Sequence, residues 1–549
     1  MAYLISKKVK GRHYWYIVES KRIDGKVTQV VLEYIGNQKK LSERLLGASS
    51  GRELDNIIVK SYSHGPATAF LKIFQMLGVP EILNSCLPPR TRNSVTRGCS
   101  LMLAAIHRAV DPGSKNEFRS WFEQTTLPSQ LNIKNQAMTS QHFWDQMDEI
   151  TEENLRDAED AIIAKVLEKY PTSMERLALD YTNYFTYIST GNDACTLAQR
   201  GKNKQKRHDL RQCSLAIVTA KDLGIPLFSH VYEGNHNDQT EFGEYVQLLK
   251  ERLPNYDPQK ITLVFDGGSN TKKNLNSLET HYICAFSLTS CKELYQIPLE
   301  SYETIILKKG KKEQAYRTEK TIWGKECTCI LTLSPALYAG QERELKQDRK
   351  KTLEELKTLN EQIKNPKSRI KKTEESLTKR VEKILKRKHM REIIQIQITE
   401  AGLTYEADVQ KEADIKKQYF GKKLHITDHK DWSTEDILEA YYEQDSIEKI
   451  FRSSKDPEHS PFQPIYHWTD QKIRTHIFIC LLGLTMTIVL QKEAEKRGIK
   501  ISQNRLLEEL IGIRESWIKE DDSTTGKVVR KLEKMSDMQE KLWEMVQEL

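Results

Sequence analysis

The sequence predicts a multidomain α/β protein, and three observations carry that expectation. Between Leu177 and Leu288, strand and helix patterns follow one another in the order β-β-β-α-β-α-β. A charged helical run, residues 341–390, is set among strand-like segments after that block. Upstream, an alternating β segment gives way to a helical one. A chain of 549 residues is too long for one core, given about 150 residues per domain.

Taken in order, residues 1–60 read as a small basic β module. Tyr14, Tyr16 and Val18, then Val27, Val30 and Leu32, mark its strands, with Asp24-Gly25 as a hairpin turn. Residues 61–172 carry helical spacing, as in Ala69, Phe70, Ile73, Phe74 and Leu77, and form an expected helical, DNA-binding domain. Its basic stretch from Arg90 to Arg97 reads either as half of a helix-turn-helix on DNA phosphates or as a solvated loop before a core helix. Residues 173–290 hold the first part of the α/β core: strands at Leu177–Ile188, Ser214–Ala220 and Ile225–Tyr232, a helix at Thr240–Leu253, an apolar strand at Ile261–Phe265, a helix at Asn270–Leu278 and a strand at Tyr282–Leu288. Residues 291–430 are an expected insertion, β-rich, with a helical hairpin over 341–390 broken at Pro366. Residues 431–500 return to the core, and 501–549 are an expected helical tail.

Composition narrows the function classes. With 38% hydrophobic and 30% charged residues the chain is globular. His476 to Leu490 is shorter than the ~20 apolar residues that span a bilayer, and the start, Met-Ala-Tyr-Leu-Ile-Ser-Lys-Lys, lacks an apolar region behind its charges, so no membrane span or signal peptide is expected. Nine scattered cysteines suit reduced thiols, with Cys327 and Cys329 as two residues of one strand. The expected location is the cytoplasm. The net charge of +8 favours a polyanionic partner. Residues 341–390 hold 17 Lys/Arg against 9 Asp/Glu and so carry +8 by themselves. Arg369, Lys371, Lys372, Arg380 and Arg387 are its candidate phosphate contacts, unless the run is only a solvated face.

Three carboxylates stand out. Asp180 interrupts an apolar strand, where an unpaired charge is costly. Asp266 ends a buried strand, the place where α/β sheets hold catalytic groups, or else caps the helix that follows. Downstream, Tyr441, Gln444, Glu448, Arg452 and Lys455 are spaced by three, four, four and three residues, which predicts one face of one helix, with Ile437, Ile447, Ile450 and Phe451 on the core side. A carboxylate among a guanidinium, an ammonium, an amide and a phenol suits a metal-bound phosphodiester, with Arg452 and Lys455 on its oxygens. Three carboxylates suit two Mg²⁺ ions for in-line displacement at phosphorus.

These residues resemble the DDE transposases of bacterial insertion sequences, the cut-and-paste branch with a Tyr-Arg-Glu-Lys signature and an insertion before the catalytic glutamate. Tyr441, Glu448 and Lys455 match the signature, and Gln444 stands where that family has arginine. Further matches are Asp180-Tyr-Thr-Asn, Gly224-Ile-Pro226, Gly234-Asn-His-Asn-Asp238 and Phe265-Asp266. The resemblance runs from about Leu177 to Leu490. It implies an RNase H-like catalytic core with Asp180, Asp266 and Glu448 as catalytic and metal-binding residues, two Mg²⁺ ions with Mn²⁺ as a substitute, and Tyr441, Gln444, Arg452 and Lys455 on DNA. It further implies cleavage at terminal inverted repeats and strand transfer into target DNA, a homodimer on DNA, and a nucleoid-associated bacterial location. Tyr419, Phe420 and Trp432 are candidates to stack on a flipped base. The alternatives are a transposase-derived DNA-binding protein without catalysis, which Gln444 favours, and a metal-dependent nuclease.

Overall fold

The computed structural model describes residues 2–9, 12–23, 26–45, 57–203, 205–221, 223–253, 255–399, 402–456, 461–520 and 528–549. The expected turn at Asp24-Gly25 lies outside the described residues. The protein is mixed α/β and divides into two compact units. One comprises Met1–Ser173, Asp180–Asn237 and Asp445–Leu549, the other Met174–Leu179 and Asp238–Gln444. The strand Arg176–Thr186 is divided between them after Leu179.

In the first unit, Ala2–Val9, Arg12–Ile23 and Lys26–Gly36 form an antiparallel sheet over a small cluster of Trp15, Ile35 and Leu41. The next strand, Ile57–Ser63, pairs instead with Arg514–Glu520, which pairs with Val529–Leu532. The expected all-helical tail is therefore corrected: helices Gln503–Ile511 and Asp537–Glu548 flank two strands. The partner lies more than 450 residues upstream, as in Arg514↔Ser63. Trp517 reaches its ring contact with Tyr62, 4.6 Å between centroids, only through that pairing.

The helical domain packs around Asp470–Lys496, a 27-residue helix long and apolar enough to cross a membrane by length and composition, 94% of whose apolar window is buried. Gly483 permits its close approach to the Arg97–Val110 helix, since a Cβ there would meet the Ala105 carbonyl oxygen at 2.7 Å. The basic stretch before that helix is a two-stranded hairpin, Thr91–Arg92 with Val95–Thr96, turning through Asn93 and Ser94 at positive φ. Its arginines are engaged internally. Arg97 is buried and donates to the carbonyls of Pro88 (2.6 Å) and Asp148 (3.0 Å), Arg92 pairs with Asp145, and Arg90 faces Asp148 and Glu149. Both readings of this stretch, a helix-turn-helix half and a solvated loop before a core helix, give way to a hairpin with internally engaged arginines. A buried guanidinium must satisfy its donors inside the fold. The same unit holds Asp180–Thr186 beside Arg211–Ala220, and Pro226–Glu233 beyond it, joined through Gly224 at φ +66°.

In the second unit the strands lie side by side in the order Glu303–Ile306, Lys312–Ile322, Lys325–Leu333, Lys422–Thr427, His281–Phe286, Thr262–Phe265 and the Arg176–Leu179 segment. The last three are mutually parallel and the others antiparallel. The long excursion after Phe286 thus returns at Lys422 as the neighbour of the strand it left. Cys327 and Cys329 are buried strand residues.

Helices Pro335–Lys364 and Glu374–Ile384 flank Pro366. They share an apolar cluster, including Leu356, Leu359, Leu377 and Val381, with the hairpin Ile394–Thr399/Gly402–Ala407 and the helix Val409–Tyr419. Truncating such a leucine costs roughly 2–5 kcal/mol, so the charged run rests on a core of its own.

Candidate active site

In the second unit, Thr262–Phe265 is buried along its whole length and Asp266 emerges exposed at its end. Asp266 makes no side-chain cap bond. The following Lys272–Ser277 helix is capped by Thr271, whose hydroxyl accepts the Asn274 N–H at 3.0 Å. The aspartate is therefore available for other work. Parallel pairing sets Leu179 opposite Phe265, and the next residue of each segment is an aspartate, Asp180 and Asp266.

Tyr441 donates to Asp266 Oδ1 at 3.1 Å. The phenol is delivered by the helix Thr434–Tyr442, whose Ile437, Leu438 and Ala440 bury against Val264, Ile283 and Ile330. Ser433 caps that helix, accepting the Asp436 N–H at 3.0 Å. Burial, and then the Asp266 charge, push the Tyr441 phenol above its ordinary range, so it stays a donor. Its ring meets His425 edge-on at 4.2 Å, and burial holds that imidazole neutral, at about 3.

In the first unit, Asp180 is half-buried and accepts the Tyr181 N–H at 2.8 Å. Residues 180, 182 and 184 share one face of the strand by its period of two. Lys455 donates to the Thr182 hydroxyl and sits 5.7 Å over the Tyr184 ring, while the Tyr184 hydroxyl bonds Ser454 Oγ at 2.6 Å. The chain that follows Glu448 is thus tied to the face of the strand that bears Asp180. The Glu448 helix, Asp445–Ser453, packs on Arg211–Ala220 through buried Ile447, Ile450 and Phe451. Glu448 and Arg452, one turn apart, remain exposed.

The expected single helical face over residues 441–455 is corrected. Thr434–Tyr442 and Asp445–Ser453 are separate helices, and Lys455 lies beyond the second. The Gln444 N–H bonds the Tyr441 carbonyl at 3.3 Å, a tightened closing turn, and Glu443 pairs with Arg176 at 3.5 Å. The first helix thus ends at Tyr442, with Glu443 and Gln444 in the turn that follows. Only Glu448 and Arg452 keep the expected spacing on one helix.

On the insertion, Arg369, Lys371, Lys372 and Arg380 are exposed. Arg387, by contrast, has its guanidinium engaged by Glu355 and facing Asp348. The expected stacking aromatics are also engaged internally. Phe420 is buried, Tyr419 meets Tyr295 at 4.7 Å, and Trp432 stacks on His429 at 4.0 Å with Arg176 5.1 Å from its ring. The sequence reading missed Tyr187, Tyr466 and Trp468, which are 48%, 65% and 51% exposed in the first unit. Tyr187 and Tyr466 meet at 5.6 Å and Trp468 stacks on Trp144 at 5.9 Å. The clustered Tyr466-His-Trp468 was the available signal.

No protein-family model and no curated protein matches the sequence. Among solved structures, the chain is similar to the piggyBac transposase in a synaptic complex with hairpin DNA. The match covers 81% of this chain and 79% of that one, with 9% identity and a TM-score of 0.38.

Proposed function

We propose that the protein is a metal-dependent DNA transposase with an RNase H-like core, cutting at terminal inverted repeats and joining the freed 3′ ends to target DNA. The observation that carries this reading is the register of the parallel strands, in which an aspartate follows each member of the Leu179↔Phe265 pair. Strand order supports it as well. The first unit has Pro226–Glu233, Arg211–Ala220 and the Asp180–Thr186 segment side by side, and the second has Arg176–Leu179, Thr262–Phe265 and His281–Phe286.

Asp180, Asp266 and Glu448 are the proposed catalytic carboxylates. An all-oxygen donor set with Asp266 and Glu448 exposed fits Mg²⁺ or Mn²⁺. When bound, two such ions supply charge stabilisation at the entering and leaving oxygens. Within the second unit Tyr441 orients the Asp266 carboxylate, and within the first Lys455 and exposed Arg452 offer positive charge for phosphate oxygens. In cleavage, a water oxygen bonds to phosphorus as its proton passes to solvent, the P–O3′ bond breaks, and the departing 3′ oxygen takes up a proton from solvent to become a hydroxyl. In strand transfer that hydroxyl attacks a target phosphodiester and displaces the target's 3′ oxygen. Double-stranded DNA is the proposed partner and a homodimer on DNA the proposed assembly.

The test is cleavage of DNA carrying the repeats that flank the gene, with Mg²⁺, by wild type and by Asp180→Asn, Asp266→Asn and Glu448→Gln. Nicking and joining by wild type, lost in each variant while DNA binding persists, is the expected result. Binding without cleavage by wild type would instead support the inactive DNA-binding reading that Gln444 favours. Cleavage without joining would support a nuclease. Full activity in the Glu448 variant would remove that residue from the reaction.

A further inference from the structure

A second cluster of ligating groups lies within the second unit, away from Asp266. His281 opens its strand in register with Thr262, at the start of the parallel strands, whereas Asp266 follows their end at Phe265. Four residues of strand separate the two levels, roughly 13 Å at ~3.3 Å per residue. Asp428 and His429 follow directly on Lys422–Thr427, the antiparallel neighbour of the His281 strand.

Candidate ligand atoms of His281, Asp428 and His429 all lie within 4.8 Å of one another. His281 Nδ1 is 2.9 Å from Asp428 Oδ2, and the two imidazoles stack with centroids 4.4 Å apart. The groups are also held from behind. The Tyr282 N–H donates to the other Asp428 oxygen at 3.0 Å, and His429 Nε2 meets the Thr262 hydroxyl at 2.8 Å. Orienting bonds of this kind fix ligating carboxylates and imidazoles in metal sites. His281 and Asp428 are about one-third exposed, 33% and 32%, which leaves room for a solvent ligand.

We propose that His281, Asp428 and His429 form a transition-metal site, with Zn²⁺ as the fitting ion, that staples the base of the insertion. Two imidazoles and one carboxylate with a water in the fourth position make a borderline donor set, suited to Zn²⁺ and poorly suited to Mg²⁺. His281 lies on the strand from which the insertion leaves, and Asp428 and His429 follow the strand by which it returns. An ion there clips a loop of more than 100 residues, from Phe286 to Lys422, and it does so just before the Thr434–Tyr442 helix that carries Tyr441. The inference does not depend on the proposed catalysis, so each can fail alone.

The test uses the full chain, stripped with chelator and titrated with Co²⁺, then with Zn²⁺ in competition. Wild type and Asp266→Asn are expected to show equally, for one equivalent of bound Co²⁺, the visible d–d bands of tetrahedral nitrogen and oxygen ligation, whatever Co²⁺ the all-oxygen carboxylates take besides. Asp428→Asn and His281→Gln are expected to lose those bands and to weaken Zn²⁺ binding by at least about tenfold. Circular dichroism checks that the variants fold. Should neither fold, X-ray absorption of Zn²⁺-loaded wild type decides, with two imidazoles expected. Absence of the bands in wild type, bands undiminished in both folded variants, or a Zn²⁺ shell without imidazole would overturn the proposal and leave an ordinary hydrogen-bond network.

Discussion

Tyr441 Oη donates a 3.1 Å hydrogen bond to Asp266 Oδ1, tying the last turn of one helix to the end of a buried strand. The proton stays on the phenol because burial and the neighbouring carboxylate both raise its pKa. Hydrogen bonds to charged groups contribute about 1.5–3 kcal/mol. Tyr441→Phe keeps the ring packed against His425 while freeing the Asp266 oxygen. The expected outcome is a roughly tenfold or larger fall in the Mg²⁺-dependent cleavage rate, with little change in thermal midpoint. Kinetics across a Mg²⁺ series check this, and a wild-type rate would separate the contact from the chemistry.

Lys455 links the chain after Glu448 to Thr182, two residues beyond Asp180 on the same face. Lys455→Met retains most of the stem and removes the charge. DNA affinity is expected to fall and its salt slope to flatten by about one counterion. Thr182→Val, which removes the hydroxyl partner and keeps the ammonium, should leave the slope intact. Binding isotherms at several salt concentrations distinguish a phosphate contact from a packing role.

The insertion's basic residues divide into two kinds. Arg369, Lys371, Lys372 and Arg380 are exposed, while Arg387 is engaged by Glu355. Changing the first four together to glutamine is expected to reduce DNA affinity and lower the salt slope by several units. Arg387→Gln should leave the slope unchanged and lower the thermal midpoint slightly, because a partly exposed ion pair contributes only about 1 kcal/mol or less. Point substitutions are needed, because loss of residues 341–390 would uncover Ile393, Leu403 and Ile415 of the shared cluster.

Burial lowers the pKa of His107 and of His425 to about 3, against about 6.5 in an unfolded chain. Between those values the unfolded state binds more protons than the folded state. Stability therefore rises with pH through that window and levels off above about 6.5. Each histidine contributes a slope of up to about 1.4 kcal/mol per pH unit. Thermal midpoints recorded from pH 4 to 8 should show the plateau and the acid decline, and His425→Gln should make the decline shallower.

Local pattern was enough to read much of this protein. The strand ending Phe265-Asp266, the apolar residues Ile437, Ile447, Ile450 and Phe451, and the break at Pro366 each follow from side-chain period or a backbone preference within a few residues. Asp180 and Asp266 were singled out because a charge in or at the end of an apolar strand is costly without a use. The same local logic misled over residues 441–455. Side-chain spacing does not register the backbone turn at Glu443 and Gln444, where the Gln444 N–H closes on the Tyr441 carbonyl, and so it drew one helix where there are two. The stretch from Arg90 to Arg97 kept two readings open for the same reason, since the carbonyl partners of Arg97 at Pro88 and Asp148 are provided only by the fold.

By itself the sequence determined the core strand that ends at Phe265, the helices on either side of Pro366, where charge accumulates, and which carboxylates stand in unusual places. Only the tertiary structure decided the pairing of Ile57–Ser63 with Arg514–Glu520, the bond from Tyr441 to Asp266, and the meeting of His281 with Asp428 and His429. The physical reason is separation along the chain. Secondary structure answers to neighbours within a turn or a pleat, whereas each of these contacts joins residues at least 147 positions apart, where no local periodicity extends and burial of the whole core selects the partner.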